Sequence, residues 1–179
     1  MKTKEELFQL YERLYFHEID MREKLSARLQ MPMTLIVTLC GAQAFLLQNY
    51  KYHTFSGLMY SFWVLIVVSF ALLMVTICYF VRSWWNHTYS FLPSAQVNED
   101  YRQSLIEFYK TCENGEQLAA EHFTDYLRTH YICCSAANTV CNDIRSVYLH
   151  KTNGMLIITA ICTVGTFLVF SFGSLGEAL

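Results

Sequence analysis

Polar and apolar positions fall into long blocks along this chain, and each block has a helical period. From residue 4 to 30 apolar side chains recur at Leu7, Tyr11, Leu14, Met21 and Leu25, with Phe8, Tyr15 and Ile19 widening the stripe. That is the 3.6-residue period of an amphipathic helix. Glu18 and Arg22, and Asp20 and Lys24, stand four apart with the acid first, the orientation that supports a helix. An apolar run from Met31 to Gln48 follows at once. Pro32 sits at the join, where it is expected to kink the helix rather than end it. Residues 49–56 form a short turn, and a second apolar run then reaches Val81. An aromatic connector closes on Leu92-Pro93-Ser94. Asn98-Glu99-Asp100 reads as the start of a short amphipathic helix over Tyr101–Cys112, which Glu113-Asn114-Gly115 breaks. From Gln117 to Phe172 the first Gly is Gly154, and Pro is absent. This stretch predicts one long helix, or two coaxial helices hinged near Asn153-Gly154.

Three windows lack Asp, Glu, Lys and Arg: Leu29–Tyr50, Tyr52–Val81 and Thr152–Gly176. Each is long enough to cross a bilayer, which takes roughly 20 residues. Buried core helices are the competing reading, but a soluble chain of 179 residues has little room for three such windows. The fold class expected is all-α: an integral membrane protein with three transmembrane helices, whose long helices extend into a small cytosolic helical bundle. The divisions are a cytosolic amphipathic helix at 1–30, spans at 31–49, 57–82 and 154–173, and a cytosolic helical region at 83–151.

Charge sets the orientation. Six Lys or Arg precede the first span, six lie between the second and third, and Lys51 alone falls in the loop between the first two. The positive-inside rule then places the N-terminus and central region in the cytoplasm, and the 49–56 loop and C-terminus outside. Trp84, Trp85, Tyr79 and Tyr89 make an aromatic belt at the inner end of the second span. Asn86-His87-Thr88 matches a glycosylation acceptor that would be silent on that side. Residues 1–30 hold six acids and six bases, which favours packing against another helix over lying on anionic lipid. Only 16% of residues are charged and 54% are hydrophobic, against about 25% charged in soluble domains. A net charge of −2 gives no basic footprint, so no direct nucleic-acid binding is expected. The seven cysteines are expected to be reduced, and no cleavable signal peptide is expected.

Along the long helix, Phe123, Leu127, His130, Cys134, Ala137, Cys141, Ile144 and Tyr148 are spaced alternately four and three. They predict a heptad seam with small residues at its centre. Asn138, Asn142, Arg145 and Tyr148 are candidates for a cytosolic interface, with structural bonding between helices as the commoner role. In the spans, a polar stripe of Thr159, Thr163 and Thr166, with Thr38 and Gln43 (and Thr34) in the first span, either holds helices together or lines a pore between chains. No acid or base lies in a span, which argues against a pump or coupled transporter.

Catalytic chemistry has little to rest on. His130, Cys133, Cys134 and Cys141 invite a metal reading, but the paired ligands of a zinc site are missing, and small soft residues in a helix seam explain them better. No P-loop, G-x-G-x-x-G, H-E-x-x-H or G-x-S-x-G occurs. Neither an enzymatic activity nor a cofactor is expected.

Tyr15-Phe16-His17-Glu18, Arg22-Glu23-Lys24-Leu25 and Arg28-Leu29-Gln30-Met31-Pro32 lead into the first span, and Asn138, Asn142 and Tyr148-Leu149 into the last. In this the chain resembles the small transmembrane effectors of bacterial anti-phage systems, those of retrons first and those of cyclic-nucleotide-signalling systems second. The resemblance covers about half the chain and is one of architecture. It implies an effector held inactive by a partner, which oligomerises or is released on infection and permeabilises or depolarises the inner membrane in abortive infection. The partners implied are membrane lipid, further copies of the chain, and a cytosolic protein or ribonucleoprotein. The alternative is a non-catalytic anchor or scaffold that recruits a cytosolic complex to the membrane.

Overall fold

The structure is a computed structural model that describes residues 3–50 and 57–176, with side chains to Phe172. The expected turn over residues 49–56 lies mostly outside the described residues. Among the described residues every regular element is a helix: α1 (Lys4–Arg28), α2 (Gln30–Asn49), α3 (Gly57–Trp84), α4 (Ala95–Tyr109) and α5 (Gly115–Gly176). Three helical stretches are long and apolar enough to cross a membrane, ending at Asn49, Trp84 and Phe172. The protein is an all-α integral membrane protein.

Pro32 interrupts little. α1 and α2 are separated only by Leu29, which keeps right-handed helical angles (φ −73°, ψ −20°). Pro32 sits in the first turn of α2, where a missing N–H costs least. α5 runs unbroken through Asn153 and Gly154, so no hinge exists there. A Cβ built on Gly154 meets nothing within 4 Å, so no neighbour demands glycine at that position.

The chain divides into two compact units. The first holds residues 1–24 and 87–143, and the second residues 25–86 and 144–179.

In the first unit, Tyr15, Tyr131 and Cys134 form the core, flanked by Phe8, Tyr11, Ile19, Leu92 and Leu127. Tyr15 and Tyr131 have ring centroids 5.6 Å apart, as do Phe8 and Tyr131. α4 begins earlier than Asn98 suggested. Ser94 caps it, accepting from the Val97 N–H at 3.4 Å, directly after Pro93. α4 then folds back on α5, with Tyr101 against Tyr126 and Tyr109 stacked on His122. Gly115 permits that reversal, because a Cβ there would lie 2.1 Å from the Tyr109 carbonyl oxygen.

In the second unit, α2 and α3 pack antiparallel. Tyr50 stacks on Phe62 at 3.9 Å, and Leu46 packs with Phe62 and Ile66. α5 lies antiparallel to α3, from Ser83 beside Arg145 to Phe62 beside Phe170. Leu25, Leu29, Ile36, Leu73, Phe80, Leu149 and Leu156 fill one part of this core.

Candidate functional site

The inward face of α5 is a heptad seam, in a different register from the apolar one expected. Asn138, Arg145, Thr152, Thr159 and Thr166 stand seven apart and are all buried. Ser135, Asn142, Leu149, Leu156 and Thr163 fill the alternate heptad position and are buried too. Ala137 and Ile144, assigned to the seam by their apolar character, are exposed, Ile144 at 45%. Cys134 and Cys141 are buried at its edge, and Phe123, Leu127, His130 and Tyr148 are half-buried. The buried face is polar because it has backbone groups and hydroxyls of other segments to satisfy.

That need is plain in the first unit. Residues 87–94 have no regular secondary structure, and no strand stands beside them among the described residues, so α5 supplies side chains as partners. Asn138 accepts from the Ser90 N–H at 2.8 Å and donates to the Ser90 carbonyl at 2.9 Å. Asn142 accepts from the Tyr89 hydroxyl at 2.7 Å and donates to Glu18, at both its carbonyl and its carboxylate. The Cys134 thiol donates to the Phe91 carbonyl at 3.5 Å. Burial pushes that thiol's pKa up, away from reactive thiolate. Arg22 lies over the rings of Tyr89 and Phe91, at 5.0 and 5.5 Å from their centroids. The Tyr131 phenol pKa is raised by burial and by the Glu12 carboxylate.

In the second unit the seam runs through the spans. Ser69, Thr76 and Ser83 of α3, again seven apart, are at most 1% exposed. The Ser69 and Thr163 hydroxyls are 2.8 Å apart, and the Gln43 amide donates to Ser69 at 2.7 Å and to Thr163 at 3.4 Å. Thr76 and Thr159 are 3.3 Å apart. Thr166 is fully buried and donates to the Cys162 carbonyl. Arg145 donates to the Ser83 carbonyl and to the Ser26 hydroxyl, while Ser83 donates back to the Arg145 carbonyl. Tyr148 is half-buried beside Tyr79.

Of the residues singled out for the membrane, Gln43, Thr159, Thr163 and Thr166 therefore meet in one internal seam. Thr38 stands apart, exposed and bonded to its own helix at the Thr34 carbonyl. Asn138, Asn142 and Arg145 are bonded within the chain's own packing. The α3 residues Ser69, Thr76 and Ser83 were missed, although their seven-residue spacing in the most apolar helix was a readable signal.

Of the residues considered for metal, His130 packs edge-on to Tyr126, and Cys133 is exposed while Cys134 and Cys141 are buried. Among the described residues no group of three His, Cys, Asp or Glu is placed to hold a metal ion. A cleft of about 400 Å³ in the first unit is lined by Lys4, Glu121, Asp125 and Arg128, and these charges pair with one another. Comparison with protein-family models, curated proteins and solved structures yields no match.

Proposed function

We propose that the protein is a non-catalytic membrane effector that permeabilises or depolarises the bacterial inner membrane when triggered, as in anti-phage abortive infection of the retron type. Its N-terminus and residues 83–151 lie in the cytoplasm and its C-terminus in the periplasm. The observation that carries this reading is the hydroxyl seam buried between otherwise apolar spans. Thr152, Thr159, Thr163 and Thr166 each donate to the carbonyl four residues back on their own helix. Those bonds persist whether the helix faces protein or water. Separating the helices breaks the bonds between them, those of Gln43, Ser69 and Thr163 with one another, of Thr76 with Thr159 and of Arg145 with Ser83, and leaves each threonine its own carbonyl partner. The seam is sealed in one arrangement and supplies a polar lining in another, as a two-state element requires. Self-association, or release from a cytosolic protein or ribonucleoprotein, selects between them.

Growth arrest tests the reading. Thr163→Leu with Thr166→Leu should abolish toxicity at unchanged expression. Undiminished toxicity would remove the seam from the mechanism.

A second reading, an anchor that recruits a cytosolic complex, is favoured by α4. None of its residues is buried, and Val97, Ile106 and Phe108 are exposed, Phe108 at 75%. Exposed apolar surface of this kind marks interaction sites. An anchor would leave ion gradients intact under every condition.

A further inference from the structure

We infer that the second unit carries a binding site for the headgroup of an anionic phospholipid, formed by Arg82 of α3 and Lys151 of α5 above Tyr79 and Tyr148. Arg82 is the first charged residue after the uncharged stretch of α3, and Lys151 is the last before that of α5. Because the two helices run antiparallel, both cations come to the same end of the apolar region. They converge on one ring. The Arg82 guanidinium lies 5.8 Å from the Tyr148 centroid and the Lys151 ammonium 5.5 Å from it. Lys151 is also 5.8 Å from the Tyr79 centroid, and the two tyrosine rings are 6.3 Å apart.

Two cations within 6 Å of one ring, at the end of the apolar region, offer an anion two donors at a single place. Lys151 has no acidic partner among the described residues, and both cations are exposed. The anion must sit where apolar chain gives way to water, which is the depth of lipid phosphates. Trp84, 56% exposed on the turn of α3 beyond Arg82, places an amphipathic ring at that depth. An anionic lipid satisfies every feature: its phosphate bridges the cations while its acyl chains follow the apolar flanks of α3 and α5. The site is independent of whether the protein permeabilises the membrane.

Native mass spectrometry of the full chain, released from detergent with added phosphatidylglycerol or phosphatidylcholine, tests the site. The wild-type chain should retain phosphatidylglycerol preferentially. Arg82→Gln with Lys151→Gln should weaken that retention by roughly thirtyfold, since each interfacial cation contributes on the order of 1 kcal/mol. Lys110→Gln, an exposed cation elsewhere, should leave it unchanged. Should the double variant not fold, by circular dichroism, the exposed Lys151→Gln change alone should give roughly a fivefold loss. Equal retention of the two lipids, or full retention by the folded variants, overturns the site. Displacement of the lipid by millimolar glycerol phosphate would also overturn it, by showing a soluble phosphate as the ligand.

Discussion

The Asn138 carboxamide bonds both backbone groups of Ser90, accepting at 2.8 Å and donating at 2.9 Å. One side chain thus stands in for a neighbouring strand, and it holds residues 87–94 along α5. Asn138 is fully buried, so losing it leaves an N–H and a C=O without partners. Asn138→Ala should destabilise the first unit by about 2–6 kcal/mol, at about 1–3 kcal/mol for each stranded group. Asn138→Asp keeps the acceptor but not the donor and should do comparable damage, because it also buries a charge. Limited proteolysis would check both variants, with new cleavage expected near residues 87–94.

Gly115 makes a second prediction. A Cβ there would stand 2.1 Å from the Tyr109 backbone oxygen, and backbone does not yield as a flexible side chain does. Gly115→Ala should therefore lower the thermal unfolding midpoint of the first unit, despite alanine's higher helix propensity. In contrast, Gly154→Ala meets no neighbour within 4 Å and should be neutral or mildly stabilising.

Gln43 and Ser69 give a third. The Gln43 amide nitrogen is bonded, but its carbonyl oxygen is buried with no partner. Gln43→Leu removes that unsatisfied acceptor and leaves Ser69 and Thr163 bonded to each other. It should be neutral or stabilising for the second unit when unfolding is driven by a denaturing detergent. Ser69→Ala should be destabilising, by about 0.6 kcal/mol, the average for hydrogen bonds between membrane helices.

Glu99 supplies a prediction in pH. The Arg102 guanidinium, bonded at 2.9 and 2.7 Å, and then the Gln103 amide hold its carboxyl down to about 2 from the ordinary 4.5. A depressed carboxylate stabilises the fold above its unfolded pKa. That contribution is fully present above 4.5 and is lost as pH falls through about 2. The pair is exposed, so its effect on stability is small. The readable quantity is the titration itself: carboxyl carbon NMR should place the Glu99 midpoint near 2 and move it toward 4.5 in Arg102→Gln.

Much of the architecture was legible because spans announce themselves by what they lack. Windows without charge give helices, and little punctuation gives long ones. The seam was harder to read. Apolar side chains normally point to the core, so Ala137 and Ile144 looked inward, while Asn138 and Arg145 were given an interface role or, more commonly, bonding between helices, with no place in the seam itself. In the spans lipid takes the apolar face, which frees hydroxyls to pack inside. In the first unit residues 87–94, outside any helix, require polar partners. Both circumstances turn the usual rule over. Ser69, Thr76 and Ser83 went unnoticed because they are diluted in the most apolar helix, although their heptad spacing matches that of Thr152, Thr159 and Thr166. The start of α4 was misplaced because Asn98 masked the stronger cap at Ser94.

Membrane potential reports directly on whether the protein permeabilises the membrane. A potentiometric dye would be followed in bacteria expressing the full chain with its neighbouring genes, before and after phage challenge. A collapse that tracks infection is expected in the wild type and not in the Thr163→Leu, Thr166→Leu variant at equal membrane abundance. A steady potential after challenge, with the wild-type protein present in the membrane, would contradict permeabilisation and favour the anchor.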